Sequence, residues 1–592
     1  MIHIINSKIR SFFRFTIYSL LPLVGGGWVG VSCSDILDTE SELVEYEKDN
    51  TLDHPTDSVY SVMGIINRMQ VIADRTVLLG EVRSDLLQTT DEASADLKRL
   101  AAFDFSQQNK YNKVSDYYAV INNCNYYLAH VDTLLERRNR KLFRSEYAAV
   151  KGFRAWTYLE LVKAYGEVPL VTEPLMTELA AKEAQRKHPS TIKEVCDFFI
   201  NDLTPYANTD MPVYGSVGGW ESQRTAAGGE YNPLFIPLRV LLGDLCLWAG
   251  RYEEAARWYN SFLNDQIKPV TLNKTNRIYW YNASEFISPT SGYHPVSIET
   301  TGRNSGEVIS LIPMEKEVFN GTISDMNNVF NSTKDNNYFF QVMPSVAMRR
   351  LSADQIHCIE YKTAVTTDTI YVPRTGMSDE LLVGDLRLYD NYRLTSLGSQ
   401  DPYSEYSSLR QSISKLPENC ISLYRKSMIY LRYAEALNRA GYPQTAFTIL
   451  KYGICPENMQ LYVDSIERAS AAAVTEFDKN IFLRDIAIGI HSYGSGDSQC
   501  NAYYVLPQPD SQLATRRDTV DFQIPLVEDM IISEMALEGA FEGNRYYDLL
   551  RVAMRRNDPA YLADAVAKRY GEVDNSLRTL LMDKKNWFIP LP

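Results

Sequence analysis

Ala434 to Leu450 reads AEALNRAGYPQTAFTIL, and Leu241 to Tyr259 reads LLGDLCLWAGRYEEAARWY. Both carry Ala-Gly where a helix stops, Ala440-Gly441 and Ala249-Gly250, and both place an alanine five residues beyond that glycine, Ala446 and Ala255. Glycine takes the left-handed conformation that closes a helix, and alanine lets a second helix lie close to the first. Each stretch therefore predicts a tight helical hairpin.

Working outward, the same period recurs. Val114 to Leu135 places Tyr117, Val120, Ile121, Cys124, Leu128 and Val131 on one helical face, and Phe143 to Tyr165 is a second helix closed by Gly166. Val168-Pro169-Leu170-Val171 then reads as an extended segment. The hairpins follow the pattern of a tetratricopeptide repeat, in which helix pairs stack because one pair alone cannot bury its apolar face. The predicted fold class is mainly α. From Gln266 to Cys420 the helical period fades, polar residues and tyrosine rise, and short apolar runs appear at Val308–Ile312 and Thr369–Val372. This part reads as irregular and loop-rich, with short strands packed on the helical scaffold, and such loops are where binding residues concentrate. One domain is expected over 33–592, with helical parts at 33–265 and 421–592.

The formal net charge of −14 argues against nucleic acid as a partner, because phosphate binding needs concentrated Lys and Arg. Basic clusters such as Arg137-Arg138-Asn139-Arg140-Lys141 read as solvated helix faces or loops. The 39 tyrosines suit both helix packing and wet binding surfaces. No C-x-x-C pair appears among the eight cysteines, and Cys124, Cys196 and Cys246 fall in apolar helical patterns. A disulfide framework is not expected, although a single bridge stays open.

At the N-terminus Lys8, Arg10 and Arg14 precede 18 uncharged residues, Phe15 to Ser32. Cys33 follows, then an acidic leader, Ser34-Asp35-Ile36-Leu37-Asp38-Thr39-Glu40. That order is a secretory signal, and the cysteine directly after Ser32 is similar to a lipoprotein signal over 1–32 with lipidation at Cys33. Gly30 departs from that pattern, where Leu or Val is usual. A membrane-spanning anchor is the alternative, since 18 residues approach a bilayer span, but Pro22 and the glycines at 25, 26, 27 and 30 oppose it.

Several ordered phrases resemble one family, the SusD/RagB-like outer-membrane nutrient-binding lipoproteins. They are Cys33 to Asp38, Leu79-Gly80-Glu81-Val82-Arg83-Ser84-Asp85, Tyr158 to Pro174, Gly384-Asp385-Leu386-Arg387, Ile429 to Gly441, and Glu538 to Arg551. The resemblance implies a SusD-like fold of stacked tetratricopeptide-like helix pairs with an irregular ligand-binding region. It also implies a lipid-anchored protein on the outer face of the outer membrane that binds an oligosaccharide and delivers it to a SusC-like TonB-dependent transporter. Such proteins are not enzymes. A peptide-binding RagB-like member and a tetratricopeptide adaptor of envelope complexes are the alternative readings.

The residues themselves nominate little chemistry. His491-Ser492-Tyr493-Gly494-Ser495-Gly496-Asp497 fails the G-x-S-x-G spacing and reads as a flexible turn. Gly25-Gly26-Gly27-Trp28-Val29-Gly30 satisfies G-x-G-x-x-G only inside the signal, without a βαβ setting. Gly539 and Gly543 lie one helical turn apart in the expected helix, and Glu542, Arg545 and Asp548 read as an ion-paired face in preference to an acid-base site. No metal site or cofactor is implied, and structural calcium is not indicated. Sugar binding needs aromatic rings and hydrogen-bonding side chains. Trp156, Trp248 and Trp258 fall on helices and read as packing. The candidates left are Trp280 between Tyr279 and Tyr281, Trp220 in a glycine-rich loop, and Tyr293 and Arg303 in the following polar stretch, with Asn327, Asn328 and Asp335 behind them.

Overall fold

The computed structural model describes residues 52–214, 233–264, 420–477, 489–510 and 515–591. Between 223 and 415 it describes 223–224, 230–231, 278–281, 288–291, 308–314, 321–330, 341–362, 365–371, 384–385, 387–388, 392–396, 409–413 and 415.

The principal helices are α1 (Pro55–Glu81), α2 (Val114–His130), α3 (Arg144–Tyr165), α4 (Ile192–Leu203), α5 (Leu238–Trp248), α6 (Tyr252–Leu263), α7 (Lys426–Arg439), α8 (Pro443–Lys451), α9 (Ser465–Thr475), α10 (Arg516–Glu538), α11 (Arg545–Arg556) and α12 (Pro559–Ala567). They stack in chain order. α1 packs on α2, α2 on α3, α3 on α4 and α4 on α5; the hairpins α5–α6 and α7–α8 meet through α6 and α7. α10 closes against α7 and α8, and α11 returns to α1.

Local chemistry sets the helix ends. Thr191 with Glu194, and Thr515 with Asp518, form capping boxes that satisfy free amides at the starts of α4 and α10. The two hairpin turns pass through Gly250 at φ +78° and Gly441 at φ +99°. A β-carbon on Gly441 would meet nothing within 4 Å, so the backbone angle alone demands glycine there. Ala255 and Ala446 are fully buried between the paired helices, as the sequence predicts. α2 ends at His130, short of Leu135, because Asp132 Oδ1 accepts from the amides of Leu134 and Leu135 and starts a turn.

Leu79–Asp85 and Glu538–Arg551 are two halves of one joint. A β-carbon on Gly80 would lie 1.7 Å from the carbonyl oxygen of Gly543, so these backbones are in direct contact. Glu81 Oε1 accepts from Gly543 N at 2.8 Å, and Arg545 pairs with Asp85 at 2.7 Å. The Arg83 guanidinium lies over the Tyr546 ring at 4.1 Å. This corrects the expectation of one continuous helix with glycines a turn apart. α10 stops at Glu538, Gly543 sits in the connection at φ +92°, and α11 begins at Arg545. Glu542, Arg545 and Asp548 do not pair with one another. Their partners are Arg425 and Lys415, Asp85, and Arg551 respectively.

A second node joins the repeats. Asp244 of α5 accepts from Tyr259 of α6 at 2.5 Å and from Tyr424 at 3.0 Å, and it pairs with Arg432 of α7 at 2.7 Å. Each of these groups is buried or nearly so. Hydrogen-bonded ion pairs of this kind tolerate the interior because every charge is matched, and they fix one relative placement of the helices.

Between the hairpins, the described strands form two-stranded antiparallel ladders. Val308–Pro313 pairs with Cys420–Arg425, and the first is buried along its whole length. Leu87–Thr89 pairs with Val342–Pro344, Cys358–Lys362 with Thr367–Tyr371, and Tyr392–Ser396 with Leu409–Ile413. α1 clamps this part through Gln70, which donates to the Pro313 carbonyl, and Asp74, which accepts from Ser324 Oγ and Asp325 N. None of the described helices is long and apolar enough to cross a membrane.

Candidate ligand-binding site

Tyr279, Trp280 and Tyr281 lie on the strand Ile278–Tyr281, paired with Ser288–Ser291 so that Trp280 stands opposite Pro289. The description of this hairpin extends to its backbone. Cys33, Trp220, Tyr293, Arg303 and Asp335 lie outside the described residues, as does the side chain of Asn327. Asn328 holds the fold, donating to Asp325 Oδ1 while its carbonyl accepts from Gln341.

The aromatic strand lies against the short helix Ser492–Ser495. Here the sequence expectation of a flexible turn is overturned. His491 to Gly496 is fully buried. A β-carbon on Gly494 would stand 2.1 Å from Asp385 Oδ1, and one on Gly496 would stand 1.9 Å from the Cys358 carbonyl oxygen. Cys500 is joined to Cys358 by a disulfide, across 142 residues of sequence. Around it Asp497 N donates to the Cys358 carbonyl at 2.8 Å, Glu360 N donates to Asp497 Oδ2 at 3.0 Å, and Asn501 Nδ2 donates to the Ile356 carbonyl at 2.6 Å. The segment is a staple that fastens the Cys358–Lys362 strand to the helical scaffold.

The same geometry disposes of the hydrolase reading of these residues. His491 Nδ1 meets Glu534 Oε2 at 2.9 Å, but Ser492 Oγ donates to the Lys451 carbonyl and Ser495 Oγ to the His491 carbonyl. Neither serine reaches the imidazole, and His491 Nε2 has no hydrogen-bond partner among the described residues.

Beneath the staple runs a buried row of matched charges. Arg387 bonds Asp385 at 2.7 Å, Glu534 at 2.6 Å and Glu538 at 3.0 Å. Arg425 bonds Glu538 at 2.6 Å and Glu542 at 2.7 Å, and Lys415 bonds Glu542 at 2.5 Å. Burial pushes Glu538 upward, but the Arg425 and Arg387 cations outweigh it and hold the carboxyl down at about 2. Glu542 is held low for the same reason, by Arg425 and Lys415. A general acid needs a proton to give near neutral pH. These carboxylates have none, and their role is to bind the helices together.

A polar cavity of about 40 Å³ lies nearby, lined by Glu160, Lys163, Asp244, Arg432, Glu542 and Asn544 among others. It has room for roughly two or three waters, whereas ligand pockets run to several hundred Å³. Trp156 and Trp587 are buried, and Trp248 and Trp258 are half-buried against the core, in keeping with packing roles. The structure thus brings one sequence candidate, the 279–281 strand, beside a staple that sequence reasoning missed. Cys358 and Cys500 sit in no motif, so no local signal could have paired them.

No protein-family model matches the sequence, and no curated protein is significantly similar to it. Solved structures do match. A SusD superfamily protein from Bacteroides vulgatus superposes with a TM-score of 0.53 at 13% identity, over 91% of this chain and 95% of that one. A SusD superfamily protein from Bacteroides thetaiotaomicron gives 0.50 at 14%, over 84% and 89%. A SusD-like protein from Bacteroides fragilis gives 0.50 at 16%, over 86% and 88%. The chain has the SusD-like fold, mainly helical, as its repeat hairpins and phrases predict.

Proposed function

We propose that this chain is a SusD/RagB-like lipoprotein, anchored through Cys33 at the cell surface, that binds an oligosaccharide and passes it to a SusC-like TonB-dependent transporter without altering it. The observation that carries the reading is the SusD-like fold, matched over nine-tenths of the chain. Two further observations support it. The signal-like start ends in a cysteine, and the Cys358–Cys500 bridge belongs to an oxidising compartment, outside the cytosol.

In this reading the Tyr279-Trp280-Tyr281 strand and Trp220 supply stacking surfaces, with Tyr293 and Arg303 contributing hydrogen bonds. The staple next to that strand gives a loop-borne site a rigid base. Titration calorimetry against a panel of oligosaccharides and peptides tests the proposal. Binding of a glycan, lost in Trp280→Ala or Trp220→Ala, is the expected result. Affinity for peptides alone would establish the RagB-like alternative, and turnover of any ligand would overturn the non-catalytic role. Fatty-acid labelling that persists in Cys33→Ala would overturn the anchor.

A further inference from the structure

The basic run 137–141 lies in the exposed loop that joins α2 to α3. Leu142 N donates to the Leu135 carbonyl at 2.9 Å, and Glu136–Arg137 pairs with Arg140–Lys141 as a short hairpin. Arg138 and Asn139 make its turn, both at positive φ (54° and 61°). Asparagine suits that left-handed region, whereas a long side chain such as arginine seldom enters it. The register adds a second cost. Arg137 stands directly opposite Arg140, and like charges facing each other weaken a ladder. Glu136 faces Lys141, so the three arginines have no acid across the hairpin. Arg144 is exposed just beyond, and no ion pair engages Arg137, Arg138, Arg140, Lys141 or Arg144 among the described residues.

Folding alone does not account for this arrangement, and an anion outside the fold does. Side chains opposite each other on a ladder leave their β-carbons about 4.5–5.5 Å apart. Two guanidiniums at that spacing can grip one phosphate, each through a two-pronged hydrogen bond. Next to them the surface turns apolar. Leu134 is 77% exposed, held at the shoulder of the hairpin by the turn in which Asp132 Oδ1 accepts from the amides of Leu134 and Leu135. Cations beside an exposed leucine fit a lipid surface, where phosphates lie over an acyl phase. A soluble anionic polymer would answer the arginines and leave Leu134 in water. We propose that the loop 134–144 is a membrane-contact site that takes the phosphate headgroups of anionic lipids.

Its place in the fold agrees. The hydroxyls of Ser58 and Tyr127 share a hydrogen bond at 2.7 Å, so the start of α1 lies beside the end of α2, from which the loop departs. Leu52 N donates to the His130 carbonyl at the same end, at 3.1 Å. The N-terminal chain thus joins the fold at the end that carries the hairpin. From Cys33 to Leu52 an extended chain spans at most about 60–70 Å, so the loop stands within reach of a surface that holds such an anchor. Each cation that settles near an anionic surface strengthens the contact about fivefold. Several such contacts suffice once a tether makes the encounter intramolecular. The site does not rest on the nutrient or transporter reading.

A polarity-sensitive fluorophore on Thr133→Cys tests this. The five free thiols among the described residues are buried, and the parent chain treated alike supplies the blank. The full chain is floated with vesicles of phosphatidylcholine alone or with vesicles rich in phosphatidylglycerol. Emission per floated chain should rise at least about fivefold on the anionic vesicles, the gain of a single cation. That gain should vanish at 1 M salt, where the Debye length is about 3 Å, and in Arg137→Glu/Arg138→Glu/Arg140→Glu. Flotation on phosphatidylcholine reports the N-terminal anchor separately, so loss of the anchor and failure of the loop are told apart. Equal emission on the two kinds of vesicle would overturn the proposal, as would a gain that survives both salt and charge reversal. So would failure to float with the anionic vesicles, or arginine-dependent binding of heparin with no gain on them.

Discussion

Replacing Glu81 by Gln should abolish the loss of stability that rising pH imposes at this joint. Glu81 is fully buried; its Oε1 accepts from Gly543 N, and its Oε2 has no partner among the described residues. Burial pushes its carboxyl up to about 8, against the opposing pull of the Gly543 and Arg545 amides and the Lys415 charge. Below about 4.5 folded and unfolded chains both hold the proton, and the group costs nothing. As pH rises from there towards 8, the unfolded chain releases the proton and the folded chain keeps it. Stability is therefore lost with rising pH, by up to about 1.4 kcal/mol per unit. From pH 5.5 to 7.5 that amounts to about 2–3 kcal/mol. Glutamine keeps the acceptor for Gly543 and cannot ionise, so it removes the slope. A chain of 592 residues has an unfolding entropy near 1.2 kcal/mol per kelvin. The melting temperature of Glu81→Gln relative to the parent should then rise by about 2 °C between pH 5.5 and 7.5. Differential scanning calorimetry at both pH values measures it. The same difference at both would show that Glu81 is ionised in the fold, and would refute the reasoning.

Gly80→Ala should abolish soluble folded protein or lower its melting temperature by several degrees, because backbone faces the new methyl and neither side can move away; circular dichroism of purified protein reports it. Arg387→Leu leaves Asp385, Glu534 and Glu538 short of a buried cation, and breaking such pairs costs about 3–5 kcal/mol. A melting temperature within 1 °C of the parent would contradict that estimate, since the expected fall is about 3 °C. Cys500→Ser opens a loop of 142 residues and should destabilise by about 2–5 kcal/mol. Hydrogen exchange should then quicken chiefly at 356–362 and 496–501, and uniform quickening would argue against a local staple.

The helical half of this fold was readable because its determinants are local. A glycine at positive φ, an alanine at a helix crossing and an apolar face repeating at 3.6 residues all lie within one or two turns of each other, as at Gly250 and Ala255 or along Tyr117 to Cys124. The candidate site was readable only as residue types, since aromatic character does not say which loop lies beside which.

Where sequence reading went astray, the decisive contact was distant. Gly543 looked like a helix residue because nothing near it in sequence records the carbonyl and α-carbon of Thr76 and Val77 pressed against it. His491 to Asp497 looked flexible from its glycines, yet those glycines admit Asp385 and Cys358 at distances no side chain would allow. From its residues alone this chain specified a stack of helical hairpins behind a signal-like start ending in Cys33, because periodicity and punctuation are short-range. Which carboxylates are silenced by arginine, which proton Glu81 keeps, and which strand stands beside the staple were settled by tertiary packing. Burial and charge matching depend on groups brought together from more than a hundred residues away, as Arg387 is to Glu538 and Arg545 to Asp85.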